Sequence, residues 1–369
     1  MRVRLNRLVV CLLAIFAVVG CAAPSPLPPD AGQLMTKLNA AVSARDLTTF
    51  MTLTNGEASA GIRSWVWANL ALLAQVTFKA GESDSLWANW QLPGDAQAIS
   101  SQVGAISCAD SGCHVADLAP QPGTPAPIWL VQPLQVLGDG QATVLASTSA
   151  ATGDTQGWVA AVQDAQQAVA GVDLGDLGAS WNGNLAVELP QDASAFAQLL
   201  GISSSADYTA TGAVTRVENP ADSSQDPVAH IIVNPQTTGT LTPDQQVLLL
   251  THEGVHVATS GVPVATGATW VSEGLAENVA VAGSPSTASG EQTLAKAACD
   301  DGLTPPSDAT FGGTDAVSQN SAYAVSQVLV GLIRSNLGAD AMTAISSLWQ
   351  GQTPSNIDLA AWSQAWCAS

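Results

Sequence analysis

The sequence predicts a mixed α+β protein, with an N-terminal α+β domain at 31–150 and a mostly helical second domain with a small sheet at 151–369. Two observations support this class. Apolar residues recur with the period of about 3.6 that is typical of helices, and these stretches alternate with short strand-like pieces bounded by glycine and proline. The chain has 369 residues, 47% of them hydrophobic, which is enough for two domains of ordinary size.

The charge of the chain excludes one class of function. There are 10 Lys and Arg against 30 Asp and Glu, and the formal net charge is −20. Since basic side chains are needed to neutralise phosphates, we expect no nucleic-acid partner. The acidic residues are spread along the chain and are not collected in a tail, which indicates a solubilising surface.

Residues 1–20 have the pattern of a secretory signal. Arg2, Arg4 and Arg7 precede an apolar run, LVVCLLAIFAVV, that is too short to span a bilayer as a permanent helix. The run ends in VVGC, whose last residue is Cys21. This segment resembles a bacterial lipoprotein signal peptide, and the resemblance implies cleavage before Cys21 and acylation of its sulfur. An ordinary signal peptide followed by a chance cysteine is the alternative.

The residues after the signal predict how the mature chain meets the membrane. The stretch 21–30 is rich in proline and suits a tether. No later segment approaches 18 uninterrupted apolar residues. We therefore expect a lipid-anchored protein of the bacterial cell envelope, outside the cytoplasm, that does not span the membrane.

Four cysteines remain after position 21, an even number that in an oxidising compartment indicates disulfides. Four cysteines allow three pairings. We favour Cys108–Cys113, which closes a tight local loop, together with Cys299–Cys367, which ties the C-terminus back to the fold.

The elements of the N-terminal domain follow from local patterns. Apolar residues share one face over 31–50, and the Trp- and Leu-rich stretch 62–78 predicts a second helix. Strand-like pieces follow at Ser85–Gln91 and at 127–136. By analogy, such an arrangement is similar to the NTF2-like fold, a cone-shaped sheet wrapped by helices. No motif in this domain indicates its chemistry.

The second domain follows a predicted linker at 150–157. A helix is predicted from Trp158, and 184–189 and 230–233 are predicted strands. Either an edge or a central place in a sheet fits the second strand. We expect His230 to be a strand residue and not a metal ligand.

The stretch THEGVHVATS contains two of the four histidines of the chain, and three signals of helix initiation precede it. Thr242 can cap the helix, Pro243 suits its first turn, and Gln245 completes a capping box. Side chains four residues apart lie on one face of a helix. We therefore expect the imidazoles of His252 and His256 to reach a single cation.

A catalytic zinc site needs a third protein ligand and an open position. A second helix is predicted from Thr269, and its Glu273 lies far enough along the chain for the two helices to run antiparallel and for the carboxylate to meet the imidazoles. Glu277 lies one turn further on the same face, where it can accept a hydrogen bond from a ligand histidine. A solvated surface role for either glutamate is the alternative.

The residue after the first histidine, Glu253, is rotated by about 100° around the helix and can face a water bound to the metal. The different direction of Glu253 distinguishes it, as a potential base, from the two histidines that are potential metal ligands. The alternative for the whole motif is a partly buried helix whose histidines make local hydrogen bonds.

HEGVH followed by WVSEGLAE resembles the gluzincin metallopeptidases, and most closely the peptidase MA-like domains of bacterial lipoproteins. The similarity is specific over 229–283 and looser over 158–367. It implies a zincin-like fold for the second domain and Zn²⁺ as the cofactor. It further implies His252, His256 and Glu273 as the zinc ligands, Glu253 as the catalytic base and Glu277 as the partner of a ligand histidine.

The resemblance suggests one more residue. Many gluzincins have a tyrosine near the start of a later helix, where its hydroxyl stabilises the oxyanion, and Tyr323 in SAYAVSQVLVGLI fits that pattern. A tyrosine that packs in the core is the alternative. The exopeptidase motif GxMEN is absent from the sequence, so specificity for a free amine is not indicated.

Together these features predict a membrane-anchored, extracytoplasmic, zinc-dependent peptidase that acts on a peptide or protein substrate. The alternative is a non-catalytic surface lipoprotein with a zinc-stabilised fold that binds peptide or envelope ligands. Glu253 distinguishes the two, because a structural zinc site needs no base and normally fills all four positions with protein ligands.

Overall fold

The structure is a computed structural model that describes residues 29–369 except 55–59, 110, 111, 151, 210, 300, 301 and 314. The predicted signal peptide, Cys21 and all but the last two residues of the predicted tether lie outside the described residues. Helices and strands both contribute extensively, which confirms the mixed α+β class.

The N-terminal part combines three helices with an antiparallel sheet. The helices are α1 (Pro29–Ser43), α2 (Leu47–Leu53) and α3 (Ala60–Leu70). The strands are β1 (Gln75–Ala80), β2 (Ser85–Gln91), β3 (Ile99–Ala109) and β4 (Gly112–Leu118), which pair in the order β1-β2-β3-β4. Strand β2 has the predicted bounds.

A second sheet of five strands follows. Its elements in chain order are α4 (Ile128–Val131), β5 (Leu134–Gly138), β6 (Ala142–Ser147), α5 (Thr152–Ala170), β7 (Leu185–Leu189), α6 (Ala193–Leu200), β8 (Ala213–Glu218), β9 (Val228–Val233) and α7 (Pro235–Thr238). The strand order is β5-β6-β7-β9-β8, so β9 is central and β8 is an edge. This sheet extends across position 150, where we predict the domain boundary, because β6 pairs with β7.

The remaining elements are helices. They are α8 (Pro243–Thr259), α9 (Thr269–Ala282), α10 (Pro285–Lys296), α11 (Asp308–Phe311), α12 (Ala316–Leu337), α13 (Ala341–Trp349) and α14 (Leu359–Ala368). Helix α8 contacts α5 and β8, and α9 packs between α8 and α12. The predicted capping box of α8 is present, since Thr242 and Gln245 each accept a hydrogen bond from the other's backbone N–H.

The five-stranded sheet separates two cores. Leu145 and Ile232 pack with the N-terminal part, whereas their neighbours Val144 and Ile231 pack with α5 and α8. Both faces of the sheet are therefore covered, and β6 and β9 are buried along their whole length. This arrangement gives α8 a rigid support.

Several predicted elements differ from the structure. The helix predicted at 62–78 ends at Leu70, because the β-branched and aromatic residues at its end form β1 and pair with β2. The helix predicted over 31–50 is interrupted near Arg45, whose φ is 55°. The predicted strand at 127–136 is α4 followed by the start of β5, and most of the predicted linker 150–157 lies in α5.

Two disulfides, Cys108–Cys113 and Cys299–Cys367, confirm the favoured pairing. The first joins the ends of β3 and β4 across their hairpin. The second ties α14 to the segment that follows α10.

Among the described residues, one stretch, Ala316–Trp349, is long and apolar enough to cross a membrane by length and composition alone. In the structure it is α12 followed by α13. Helix α12 packs on α9 and buries Leu329, Val330 and Ile333. A core helix of this kind meets the same criterion.

Candidate metal centre

Helices α8 and α9 bring together the three predicted ligands. His252 Nε2 lies 3.1 Å from His256 Nε2. Glu273 Oε2 lies 3.2 Å from His252 Nε2 and 3.3 Å from His256 Nε2. In a tetrahedral site with metal–ligand bonds of about 2.0–2.1 Å, neighbouring donor atoms are about 3.3 Å apart. The spacing of the three donor atoms therefore fits one tetrahedrally coordinated metal ion.

Two glycines let these helices pack closely against other neighbours, α9 against α12 and α8 against α5. A Cβ atom on Gly274 would lie 2.4 Å from the main-chain oxygen of Ser326 on α12, so only glycine fits there. A Cβ atom on Gly254 would lie 3.0 Å from Val169 Cγ2 on α5. Glycine in the middle of a helix costs about 1 kcal/mol relative to alanine, and close packing against α5 explains its presence in α8.

The three candidate ligands are almost fully buried, with exposures of 5% for His252, 4% for His256 and 1% for Glu273. Burial lowers the pKa of His252, but its hydrogen bond with Glu273 and the nearby carboxylate charges outweigh this and raise the pKa to about 9. Burial acts in the opposite sense on Glu273, whose pKa the histidines hold at about 2. In the metal-free protein His252 therefore carries a proton at neutral pH, and a metal ion has to displace it.

Each ligand histidine has a partner for the nitrogen that faces away from the cluster. His252 Nδ1 lies 3.5 Å from Glu277 Oε1, and His256 Nδ1 lies 3.4 Å from Ser272 Oγ. The carboxylate of Glu277 can only accept and therefore favours the tautomer of His252 in which Nε2 is free to bind a metal, whereas the hydroxyl of Ser272 can accept from or donate to His256 Nδ1. The sequence predicts Glu277 in this role, whereas it carries no signal for Ser272.

The side chain of Glu253 contacts the edge strand β8 instead of the cluster. Its Oε2 accepts a hydrogen bond of 2.7 Å from the hydroxyl of Thr215, and its Oε1 has no hydrogen-bond partner among the described residues. Burial raises the pKa of Glu253, against the opposing charges of His252 and His256. A buried carboxylate with a raised pKa and one free oxygen can take up and release a proton, as a general base must.

Tyr323 on α12 lies beside the cluster. Its ring packs edge-on against His252, with 6.0 Å between ring centroids, and against Phe311, with 5.3 Å between centroids. Both roles considered from the sequence, oxyanion stabilisation and core packing, are compatible with this position.

A second group of possible metal-binding atoms comes from Glu188, Glu218 and His230 on β7, β8 and β9. His230 Nδ1 lies 3.1 Å from Glu188 Oε1, and His230 Nε2 lies 3.1 Å from Asp95 Oδ1. The guanidinium of Arg216 pairs with both glutamates. Since these carboxylates already face a fixed cation, this cluster is a buried ion-pair network.

The charge on His230 belongs to that network. Burial lowers its pKa, but Asp95 and Glu188 outweigh burial and raise the pKa to about 10. The ring is therefore protonated at neutral pH, and its two N–H groups donate hydrogen bonds to the carboxylates of Glu188 and Asp95. His230 lies in strand β9, which confirms that it is a strand residue.

Comparisons with protein-family models, with curated protein sequences and with solved structures find no match to this chain. The assignment of a function therefore depends on the residues and geometry of the site itself.

Proposed function

We propose that the protein is a zinc-dependent peptidase whose second part has a zincin-like fold of the gluzincin type. The observation that carries this proposal is the convergence of His252 Nε2, His256 Nε2 and Glu273 Oε2 to within 3.1–3.3 Å of one another. Bound zinc would supply Lewis acidity, which polarises a carbonyl and lowers the pKa of a water molecule to about 7.

The residues around the ligands have distinct roles in this proposal. Glu253 accepts a proton from the attacking water through its free Oε1 and passes it to the leaving amine. Glu277 holds His252 in the required tautomer, and Ser272 holds the ring orientation of His256 through the contact with its Nδ1. Tyr323 donates a hydrogen bond to the oxyanion that develops on the substrate.

An extended peptide is the form of substrate that the sheet supports. Strand β8 is an edge strand that contacts α8, and its Val217 is 49% exposed. A peptide can add to such an edge through main-chain hydrogen bonds. The sequence allowed either an edge or a central place for β9, but this strand is central and has no free edge to which a peptide could add.

The location of the protein is part of the proposal. We infer an extracytoplasmic protein of the bacterial cell envelope, held to the membrane by acylated Cys21 and a tether at 21–30. The two disulfides support an oxidising compartment. We also propose an NTF2-like fold for the N-terminal part, because an antiparallel sheet packs there against preceding helices.

The variant Glu253→Gln tests the proposal. We expect wild-type protein to bind about one zinc ion and the variant to retain it, because Glu253 is not a ligand. Hydrolysis of a peptide library, read by mass spectrometry, should fall by about 10²- to 10⁴-fold in the variant. Wild-type protein treated with a chelator is the control, and it should lose the same cleavages.

A non-catalytic lipoprotein with a zinc-stabilised fold is the second candidate. The observation in its favour is the low exposure of the ligands, 5% or less for each of the three side chains. It predicts that zinc-loaded wild-type protein leaves the library uncut, while chelation lowers the thermal unfolding midpoint. That pair of results would overturn the peptidase proposal.

A further inference from the structure

Among the described side chains, that of Thr215 alone makes a hydrogen bond to the carboxylate of Glu253. The residue lies on β8 and is 5% exposed. Its Oγ1 lies 2.7 Å from Glu253 Oε2 and 3.2 Å from the main-chain oxygen of Glu253. A hydroxyl has a single proton, and a charged acceptor at the shorter distance takes it. The hydroxyl therefore donates to the carboxylate.

This contact makes the two carboxylate oxygens different. Oε2 is held, whereas Oε1 has no hydrogen-bond partner among the described residues. Without the hydroxyl, the carboxyl group could rotate and exchange its two oxygens. Because the β-branched side chain of threonine is stiff at χ1, the strand backbone fixes where its hydroxyl points.

The strand that carries Thr215 is itself anchored from its other face. Neighbouring side chains on a strand point to opposite faces, and Arg216 points away from α8. Its guanidinium donates to the main-chain oxygen of Ala126, at 3.1 Å, and pairs with Glu218. On the sheet side, Thr215 lies in register with Ile231 of β9. An edge strand held in this way is a rigid mount for the hydroxyl.

We propose that Thr215 is a positioning residue that orients the carboxylate of Glu253, holding Oε2 so that Oε1 is the atom that exchanges the proton. This inference rests on the proposed peptidase function. It assigns to β8 a second role besides binding an extended substrate.

The activity arm of the test uses Thr215→Val, which keeps the branched shape and removes the hydroxyl. We expect kcat to fall by about 10- to 100-fold, with KM and zinc content unchanged, because only the orientation of the base is lost. Thr215→Ser should restore most of kcat. Thr238→Val is the matched control, since it removes a buried hydroxyl that donates to the main-chain oxygen of Asn234, at 2.7 Å.

The stability arm does not depend on activity. Thermal unfolding midpoints of zinc-free protein are measured for Thr215→Val, Glu253→Leu and the double variant. We expect Thr215→Val to lower the midpoint in the wild-type background and to lower it by a smaller amount in the Glu253→Leu background, where only the main-chain oxygen of residue 253 can accept from the hydroxyl. Thr215→Ala replaces Thr215→Val in both arms should the latter fail to fold.

The outcomes separate this inference from the proposed function. Additive effects in the stability arm, wild-type kcat in Thr215→Val, or loss of zinc from that variant would each overturn the positioning role. Absence of hydrolysis by zinc-loaded wild-type protein would overturn the proposed function. Coupling in the stability arm would then make the Thr215 contact purely structural, which also contradicts a positioning role in proton transfer.

Discussion

Two buried clusters in this molecule are built from the same kinds of residue, and we propose that they differ in what they bind. One joins His252, His256 and Glu273 on two helices, and the other joins His230 to Glu188 and its neighbours on adjacent strands. Only the second contains a guanidinium. We infer from the comparison that the source of positive charge, more than the identity of the acids and histidines, separates a candidate metal site from an ion-pair network.

The orientation of the rings follows from this difference. In the helical cluster the two Nε2 atoms face each other at 3.1 Å, an arrangement that cannot hold a proton on both nitrogens without repulsion. In the strand cluster each nitrogen of His230 faces a carboxylate instead. A metal ion bound in the first cluster would need a lone pair on each Nε2 atom, whereas the carboxylates of the second cluster need a proton donor.

Removal of a ligand should have the largest effect. We expect His252→Ala to reduce bound zinc from about one ion per chain to almost none, because a catalytic zinc site depends on three protein ligands. The measurement is metal content after gel filtration. His114→Ala, at an exposed position on β4, is the matched control and should keep its zinc. Two zinc ions in the wild-type protein would contradict the view that Arg216 closes the second cluster.

Removal of the internal cation should destabilise the strand cluster. Arg216→Met leaves Glu188 and Glu218 buried with His230 as their only remaining cation among the described residues, and we expect a loss of about 3–5 kcal/mol in the free energy of unfolding, measured in urea. Lys37→Met, at an exposed site on α1, should change it by less than about 0.5 kcal/mol. A similar small change in both variants would mean that the network contributes little.

Glu277→Gln should weaken the metal site without abolishing it. The substitution removes the charge next to His252 Nδ1, and we expect zinc affinity to fall by about 10- to 100-fold in a competition titration with a chelator. Glu82→Gln, at an exposed position, provides the control. An unchanged affinity would show that the contact of 3.5 Å does not orient the ring.

The smallest expected effect is the number of protons that are released when zinc binds. His252 in the metal-free protein has a pKa of about 9, so at neutral pH zinc binding should release one proton from His252 in addition to the proton lost by zinc-bound water, and the His252 contribution should vanish as the pH rises through about 9. Calorimetry in buffers with different ionisation enthalpies measures it. His230 stays protonated with or without zinc and contributes nothing. Zinc binding without buffer dependence at neutral pH would contradict this assignment.

The parts of the site that are local in sequence could be predicted from it. Helix α8 begins at a capping box between Thr242 and Gln245, and the bounds of α9 follow from its apolar pattern and the glycine after it. Since both helices and their spacing are local features, the meeting of His252, His256 and Glu273 was within reach of sequence analysis.

The strand side of the site was not predicted because it depends on pairing between distant segments. Strand β8, with the sequence AVTRVE, has three β-branched residues in six and lies between Gly212 and Pro220, a signal that would have revealed it and therefore Thr215. No comparable signal exists for the contact between Asp95 and His230, which are 135 residues apart. Likewise, the end of the predicted helix at 62–78 became β1 because a partner strand was available.

The continuity of the five-stranded sheet across position 150 has a practical consequence for dissecting the protein. A fragment that starts at 151 would lose β5 and β6. Strand β7 would then be an unpaired edge strand, and such edges promote aggregation. The shortest C-terminal fragment that keeps all five strands of this sheet begins before Leu134. In a fragment that begins between Asp95 and Leu134, His230 would still lack its hydrogen bond with Asp95. Expression of the two halves as separate polypeptides is therefore expected to yield insoluble material.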